Sequence, residues 1–287
     1  MLPAMAAKPT VAMVGAGRVG TALAVSLKRS GYAICEIVSR DSRDSQRRAR
    51  KLAASAAAEV TTLSTAQLTS NLIWLCVPDR QIANCARALA ARTVWNRKIV
   101  FHSSGALASD QLQVLRKRGA AVASVHPLMT FVSGTVPALD GVAFAIEGDP
   151  AALRLARRIV NDLHGESFPI RKSKKAAYHA WGGFTSPLLV AALVTGEEVA
   201  RLAGLSAGQA RKRMLPIVTQ TLANYAALGS AGAFSGPIVR GDTEVVRQHL
   251  RVLRRVPEAR EVYLALAKAA LRLLPVRNKG ELEKILR

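Results

Sequence analysis

The sequence predicts an α/β protein with a doubly wound, mostly parallel sheet, followed by a smaller all-α domain. Short apolar runs alternate with amphipathic helical stretches along roughly the first 170 residues, a pattern typical of a parallel sheet covered by helices. A glycine-rich turn joins the first run to the first helix, and no clear strand follows residue 170. We therefore divide the chain into residues 1–170 and residues 171–287.

The composition sets limits on the function. Of 287 residues, 50% are hydrophobic, which is ample for packed cores, and only 5% are aromatic, which argues against a stacking platform for single-stranded nucleic acid. The net charge of +22 comes from arginines that recur on many helical stretches, so we interpret most of it as a solvated surface. The alternative is attraction to an anion: a nucleotide phosphate, an anionic substrate or nucleic acid.

Cysteine usage and the uncharged stretches predict a soluble, cytoplasmic protein. The three cysteines form no CxxC pair and no metal-ligand pattern, as expected for structural thiols in a reducing compartment. The first ten residues lack the apolar stretch of a signal peptide. Residues 180–196 and 214–239 are uncharged, but Pro187, Pro216 and several glycines indicate buried helices and a loop instead of membrane spans.

The elements of the first domain follow from apolar runs and helical spacing. The alternation of apolar runs and helical stretches continues as far as SFPI (167–170), where it ends. Asp79 is predicted to cap the helix that follows the third strand. The predicted strands are TVAMV (10–14), AICEIVS (33–39), NLIWLCVP (71–78), KIVFH (98–102), AAVASVHPL (120–128) and GVAFAIEGD (141–149). Further helices are predicted at SQRRARKLAAS (45–55), SDQLQVLRKRG (109–119) and PAALRLARRIVNDLHG (150–165).

The first turn has the spacing of a dinucleotide-binding site. Gly15 permits a tight turn, Gly17 lets the backbone approach a pyrophosphate, and Gly20 lets the helix and strand pack closely. The turn lies between a strand and a helix whose free N–H groups can bind phosphate. The predicted cofactor contacts are Gly15, Gly17, Arg18, Val19, Gly20, Ser39, Arg40, Val77 and Pro78.

The end of the second strand favours NADP over NAD. An NAD site usually places an acidic residue about 20 positions beyond the glycines, where it binds the ribose hydroxyls. Here that neighbourhood holds Ser39 and Arg40, which suit a 2′-phosphate. Asp41 is the complication, because a strand ending one residue later would place its carboxylate against the ribose.

Polar residues end two neighbouring strands. His102, Ser103 and Ser104 follow one strand and His126 ends the next, held there by a proline. Ligands of doubly wound sheets lie beyond these carboxyl ends, so both histidines are candidates for proton transfer and the two serines for substrate binding. The alternative for each histidine is an ordinary hydrogen-bonding strand stop.

The helical half contributes three more candidates. Lys175 and His179 lie one helical turn apart on the same face, and a lysine near a dinucleotide can donate a proton to a forming alkoxide or amine. Arg240 stands in a Gly-Pro loop and could bind a carboxylate with both guanidinium nitrogens. Asp242 is predicted to cap the next helix. A solvated surface charge is the alternative for Lys175 and Arg240.

These motifs together resemble a bacterial family of Rossmann-like proteins whose C-terminal helical half is known only as a domain of unknown function. GAGRVG, HSSGAL, SVHPLMTF, KAAYH and GPIVRGD occur in this order over nearly the whole chain. The sequence is more distantly similar to pyrroline-5-carboxylate reductase, prephenate dehydrogenase and the 3-hydroxyacid dehydrogenases. The resemblance implies an NADP- or NAD-linked oxidoreductase that dimerises through its helical domain and binds a small substrate between domains.

The interpretation that we favour is that the protein is an NADP-dependent oxidoreductase acting on a small carbonyl, imine or hydroxy acid. The family pattern includes an Asn after the Tyr-His pair, where this chain has Thr185, Ser186 and Pro187. That departure favours the first alternative, a nucleotide-binding sensor or scaffold without turnover. The second alternative is a nucleic-acid-binding protein, but the chain has no recognisable helix-turn-helix or zinc motif.

Overall fold

A computed structural model describes residues 7–287, so most of the N-terminal stretch on which the signal-peptide prediction depends lies outside the described residues. By internal contacts the chain divides into two compact units, the first ending at Gly183 and the second comprising Phe184–Arg287. We call them the sheet unit and the helical unit. This division falls later in the chain than the one predicted from the sequence pattern at residues 170/171.

The sheet unit contains one eight-stranded sheet in the order β3-β2-β1-β4-β5-β6-β7-β8. Neighbouring strands are parallel, except that β6 and β7 pair antiparallel. The change of direction from β1 to β4 at the centre of the sheet is the switch point of a doubly wound fold. The strands are β1 Val11–Val14, β2 Ile34–Ser39, β3 Glu59–Thr62, β4 Leu72–Leu75, β5 Ile99–His102, β6 Ala121–Pro127, β7 Ala143–Gly148 and β8 Glu166–Pro169.

Helices cover both faces of this sheet. Residues 109–119 do not form the predicted helix: they contain a 3-10 turn, Ser109–Leu112, and the short α4. The cause is tertiary, because the buried Glu147 carboxylate on β7 accepts the Ser109 N–H at 2.5 Å and its hydroxyl at 2.9 Å. The helices are α1 Arg18–Arg29, α2 Arg43–Ala56, α3 Asp79–Leu89, α4 Gln113–Arg116, α5 Pro150–Asp162 and α6 Lys175–Thr185, the last preceded by a 3-10 turn at Lys172–Lys174.

The core lies in two layers, one on each face of the sheet. β1 and β4 are buried along their whole length, as their continuous apolar runs predict for central parallel strands. One layer includes Trp74 and Phe101, which pack edge to face with ring centroids 5.3 Å apart. The other layer packs α3 and Trp95 against the opposite face. These layers fix the carboxyl ends of β4, β5 and β6 relative to one another.

The helical unit contains no strand within residues 184–287. Its long helix α8 contains Pro216 and is kinked at Gly229, where φ is +69°. A small core forms where α10, α11 and α12 meet, around Val246, Leu271 and Leu282. The helices are α7 Pro187–Leu202, α8 Ala207–Ala233, α9 Pro237–Arg240, α10 Thr243–Val252, α11 Pro257–Leu273 and α12 Lys279–Ile285, with a 3-10 turn at Leu253–Arg255. Along residues 7–287 no helix is both long and apolar enough to span a bilayer.

Candidate functional site

The glycine turn, residues 15–20, has the geometry that its spacing predicts. Gly15 has φ of +102°, and a Cβ there would lie 2.5 Å from the Cys76 carbonyl oxygen. A Cβ on Gly20 would collide with the Gly15 carbonyl, so this glycine allows α1 to pack on the turn. A Cβ on Gly17 would meet nothing within 4 Å. Gly17 therefore presents bare backbone to open space at the start of α1.

That open space is a cavity of about 620 Å³ beyond the carboxyl ends of β1, β2 and β4. Seven of the nine predicted cofactor contacts line it; Val19 and Gly20 do not. The lining adds residues that the sequence did not single out as contacts, because they follow no local motif. The predicted lining residues are Gly15, Gly17, Arg18, Ser39, Arg40, Val77 and Pro78, and the added polar ones are Ser45, Arg48, Gln81, Asn84 and Ser133.

The β2 end of the cavity is basic. Arg40 and Arg48 are exposed and line the cavity together, whereas Asp41 does not line it. The lining residues include no aspartate or glutamate from the described part of the chain. Ser39 is buried, and its hydroxyl contacts the carbonyls of Arg40 at 3.1 Å and Thr61 at 3.4 Å. The two guanidinium groups, more than the serine hydroxyl, are therefore available to an anion.

The wall at the end of β4 is apolar and uncharged. Burial raises the pKa of the Cys76 and Cys85 thiols, each to about 12, so both are protonated at neutral pH. Ser103 lies behind this wall: its hydroxyl accepts a hydrogen bond from the Trp74 indole N–H at 2.8 Å. Ser103 is thus tied to the core of the sheet, 3.7 Å from the Cys76 sulfur.

His102 is fully buried and both of its ring nitrogens have partners. Nδ1 accepts the Ser104 N–H at 3.1 Å, which leaves Nε2–H to donate to the Ala108 carbonyl at 3.1 Å. Burial, with a smaller contribution from the Lys175 charge, lowers the pKa of His102 to about 4. A neutral imidazole with both nitrogens engaged holds the loop after β5 in place.

Asp79 and Ser104 form a second internal contact at this edge. The sequence predicts Asp79 as a helix cap, but the cap position is Pro78 and Asp79 is the first residue of α3. Its carboxylate accepts the Ser104 hydroxyl at 2.8 Å. The Ser104 oxygen in turn accepts the Leu107 N–H at 2.9 Å. The cap prediction is wrong because a distant hydroxyl, not the helix's own N–H groups, satisfies this carboxylate.

Lys175, the first residue of α6, lies under the same loop with only 1% of its surface exposed. Its Nζ donates to the Ser104 carbonyl at 2.9 Å and to the Ser124 hydroxyl at 2.6 Å. Burial lowers the pKa of Lys175 to about 8, although the charges of Glu147 and Asp79 oppose that change. The structure thus brings Lys175 to the ends of β5 and β6, as a buried group.

His126 and His179 converge above Gly105 with the tyrosine that precedes His179. His126 Nδ1 lies 2.8 Å from the Tyr178 hydroxyl, and the His126 and His179 ring centroids are 6.4 Å apart. A Cβ on Gly105 would lie 2.7 Å from His179 and 2.8 Å from His126 Nε2, so only glycine admits both rings. We call His126, Tyr178 and His179 the histidine cluster. Tyr178 and Gly105 were missed, although both belong to the quoted motifs KAAYH and HSSGAL.

Arg240, the predicted substrate contact, lies in the helical unit. It is the last residue of α9 in the helical unit, its side chain is 59% exposed, and it pairs with Asp242 at 2.7 Å. Asp242 does occupy the predicted cap position of α10, but its carboxylate binds Arg240 and makes no side-chain capping bond.

Two family models match the chain in succession. Residues 4–127 match the Rossmann-like domain, and residues 142–270 match the domain of unknown function DUF2520. The predicted resemblance and the predicted fold class are therefore confirmed. The DUF2520 match begins at β7, so it takes in the last two strands of the sheet, α6 with Lys175 and the helices up to α11.

Solved structures share this fold over nearly the whole chain. A Bacteroides fragilis protein provisionally described as an NADP oxidoreductase is 22% identical, with a TM-score of 0.77 over 91% of this chain and 97% of its own. The protein TM1727 from Thermotoga maritima is 25% identical, with a TM-score of 0.72 over 96% and 100%. A reductive aminase from Aspergillus terreus, in complex with NADPH and ethyl-5-oxohexanoate, is 17% identical, with a TM-score of 0.66 over 97% and 99%. No curated protein sequence matches the chain.

Proposed function

We propose that this protein is an NADP-dependent oxidoreductase that reduces a small carbonyl or imine compound, or oxidises the corresponding alcohol or amine. The observation that carries the proposal is the cavity at the glycine turn. Gly17 offers bare backbone to this cavity and two exposed arginines line its β2 end, while no acidic residue of residues 7–287 lines it. A pyrophosphate fits the first feature and a 2′-phosphate the second.

The neighbouring structures support the same class of reaction. The reductive aminase named above is described in complex with NADPH and a keto ester, and the Bacteroides protein is described as an NADP oxidoreductase. These names belong to proteins at most 22% identical, so they indicate a reaction class and leave the metabolite of this chain open. A small metabolite with a carbonyl, imine or hydroxyl group is the substrate we propose.

The chemistry is proposed to take place at the histidine cluster. NADPH bound at the cavity would supply a hydride to the substrate carbon, and a proton must then reach the substrate oxygen or nitrogen. His126 is our candidate for the hydrogen-bond contact with that atom, and the proton itself would come from solvent, which reaches the exposed His179 beside it. Lys175 would act indirectly: burial lowers the pKa of the His126 imidazole, and the charge of Lys175 lowers it further.

The test measures binding and turnover separately. Calorimetric titration with NADPH, NADP and NAD measures the affinities, and NADPH absorbance follows turnover with a panel of small ketones, keto acids and imines. We expect NADPH to bind more tightly than NAD and at least one compound class to be reduced. Tighter binding of NAD would overturn the cofactor assignment.

One observation favours a nucleotide-binding protein without turnover. Of the four candidates for proton transfer, Lys175 is buried and both nitrogens of His102 are engaged. Tight NADPH binding combined with no reduction across the whole panel would support this sensor or scaffold function.

The proposed partner of the helical unit is a second copy of this chain. Of the 27 residues of α8, only Ala210 is buried, and many large apolar side chains of α7 and α8 face solvent. Apolar surface of this extent is typical of an interface. The exposed residues include Leu188, Val190, Val194, Ile217, Tyr225 and Leu228. Light scattering should give the mass of a dimer; a monodisperse monomer at micromolar concentration would contradict the proposal. A cytoplasmic location stays a prediction.

A further inference from the structure

We infer that Tyr178 is a positioning residue that fixes His126 in the neutral tautomer with hydrogen on Nε2. The tautomer is a property of this chain and can be measured without cofactor or substrate. Its consequence rests on the proposed function: His126 would be a hydrogen-bond donor to the substrate oxygen or nitrogen, not a base.

The contact that fixes the imidazole is short and rigid. The Tyr178 hydroxyl lies 2.8 Å from His126 Nδ1, and the two rings meet edge to face with an interplanar angle of 88°. Tyr178 is 7% exposed, and its ring packs against Phe168 and Trp181, with centroids 6.0 and 6.1 Å away. Because α6 carries Tyr178 and Phe168 is on β8, the hydroxyl is held by two separate elements.

The direction of this hydrogen bond follows from the partners available. Among the described residues, His126 Nδ1 is the one hydrogen-bond partner of the Tyr178 hydroxyl. If Nδ1 carried the hydrogen, the hydroxyl hydrogen of a nearly buried side chain would have no acceptor, which is costly. The hydroxyl therefore donates to Nδ1, and the hydrogen of a neutral ring lies on Nε2.

The surroundings keep the ring neutral. Burial lowers the pKa of His126 to about 4, and electrostatic repulsion from Lys175, and from His179 and His102 whenever these are protonated, adds to that effect. Burial also raises the pKa of Tyr178 to about 12, so the phenol keeps its hydrogen at neutral pH. These four titratable groups are placed around His126 by β5, which carries His102, and by α6, which carries Lys175, Tyr178 and His179.

A neutral Nε2–H donor stabilises negative charge that develops on a substrate atom without first taking up a proton. The donor is aimed by the fold, since Nδ1 is anchored on Tyr178 and Gly105 leaves room for the Nε2 side of the ring. Loss of the Tyr178 hydroxyl should allow both neutral tautomers of His126 and should also free the orientation of its ring.

The chain contains a second Tyr–His pair that serves as a matched control. His249 Nδ1 lies 3.1 Å from the Tyr263 hydroxyl in the helical unit, again edge to face, at 89°. His249 is exposed. Tyr263→Phe thus removes the same group from a similar pair outside the histidine cluster.

The decisive experiment is ¹⁵N NMR of the histidine rings in the cofactor-free protein, with His126 assigned by comparison with His126→Gln. At neutral pH we expect Nδ1 of His126 to be unprotonated and Nε2 protonated. Tyr178→Phe should give a mixture of tautomers, whereas Tyr263→Phe should leave the His126 signals unchanged. A protonated Nδ1 in the wild type, or an unchanged tautomer in Tyr178→Phe, would overturn the inference.

Kinetics then test the consequence. Tyr178→Phe should lower kcat roughly tenfold or more and leave the NADPH Kd within about twofold, because the lost interaction orients the donor and does not touch the cofactor. His126→Gln should keep more activity than His126→Asn, since the Gln amide can place an N–H near the Nε2 position. If neither the wild type nor any variant turns over a substrate but the tautomer is as inferred, the proposed reaction is wrong and the positioning role of Tyr178 is supported. Equal activity of the Gln and Asn variants would overturn the donor role.

Discussion

Basic groups occur at both ends of the sheet unit's candidate site, but in opposite states. At the β2 end of the cavity, Arg40, which follows β2, and Arg48 of α2 are exposed and line the cavity. At the ends of β5 and β6, His102 and Lys175 are buried, and burial lowers the pKa of each. The first region can attract and bind an anion, whereas burial in the second disfavours the charged form of each group and leaves His102 neutral.

The difference shows that a basic residue acquires its function from solvation. An exposed guanidinium stays charged and suits a phosphate dianion. A buried imidazole loses its proton and becomes a neutral hydrogen-bonding group, which is the state needed to orient a loop or to polarise a substrate. Breaking each region should therefore give different phenotypes: loss of nucleotide binding at one end and loss of turnover or acid stability at the other.

The largest effect is expected for Gly17→Val at the cofactor end. The branched side chain would enter the cavity where the backbone must approach the pyrophosphate, and a Cβ there meets nothing in the protein, so the fold should be kept. We expect NADPH binding to be abolished, an affinity loss of more than about 10⁴-fold, or 5.5 kcal/mol. Calorimetry measures the affinity, and circular dichroism checks the fold.

Gly208→Val is the matched control for this substitution. Gly208 lies in the first turn of α8, and a Cβ there also meets nothing within 4 Å. This variant should bind NADPH like the wild type. Wild-type affinity in Gly17→Val would mean that the glycine turn does not hold a pyrophosphate.

His126→Ala should separate chemistry from binding. We expect kcat to fall by about 10²–10⁴-fold with NADPH affinity nearly unchanged, because His126 is proposed to contact the reacting atom and lies outside the cavity lining. Steady-state kinetics and calorimetry on the same preparation provide both numbers. Full activity in this variant would remove His126 from the mechanism and leave His179 as the next candidate.

His102 should make the fold sensitive to acid. Its pKa is about 4 in the folded chain and 6.5 when exposed, so the unfolded state binds the proton first and stability is lost as pH falls from 6.5 towards 4. The expected loss is on the order of 3 kcal/mol in the free energy of unfolding. Urea unfolding of wild type and His102→Asn at both pH values isolates this contribution from that of the carboxylates. Parallel pH profiles for the two proteins would show that His102 is not buried neutral.

Arg40→Ala should have the smallest effect and the most selective one. Loss of a charged hydrogen-bond donor to the 2′-phosphate should weaken NADP binding by about 1.5–3 kcal/mol and leave NAD binding unchanged. Arg43→Ala provides the control, because Arg43 is exposed three residues further along the chain and does not line the cavity. An equal loss for both cofactors would mean that Arg40 does not read the 2′-phosphate.

The sequence predicted the central part of the fold because that part is encoded locally. The continuous apolar runs of β1 and β4 and the spacing of the three glycines each act within a few residues. The edge strands β3 and β8 were missed, since they are only partly buried and carry no apolar run. The shortened helix after Ser109 was missed because its cause, Glu147, lies 38 residues away.

By itself, the sequence determined the glycine turn, the alternation of strands and helices through the centre of the sheet, and the position of two histidines at strand ends. Only the tertiary structure decided the state of each group. Both ring nitrogens of His102 are hydrogen-bonded, Lys175 is buried, and His126 is hydrogen-bonded to a tyrosine 52 residues further along the chain. The physical reason is that chain direction and periodicity depend on neighbouring residues, whereas burial, hydrogen-bond partners and pKa depend on groups brought together from distant segments.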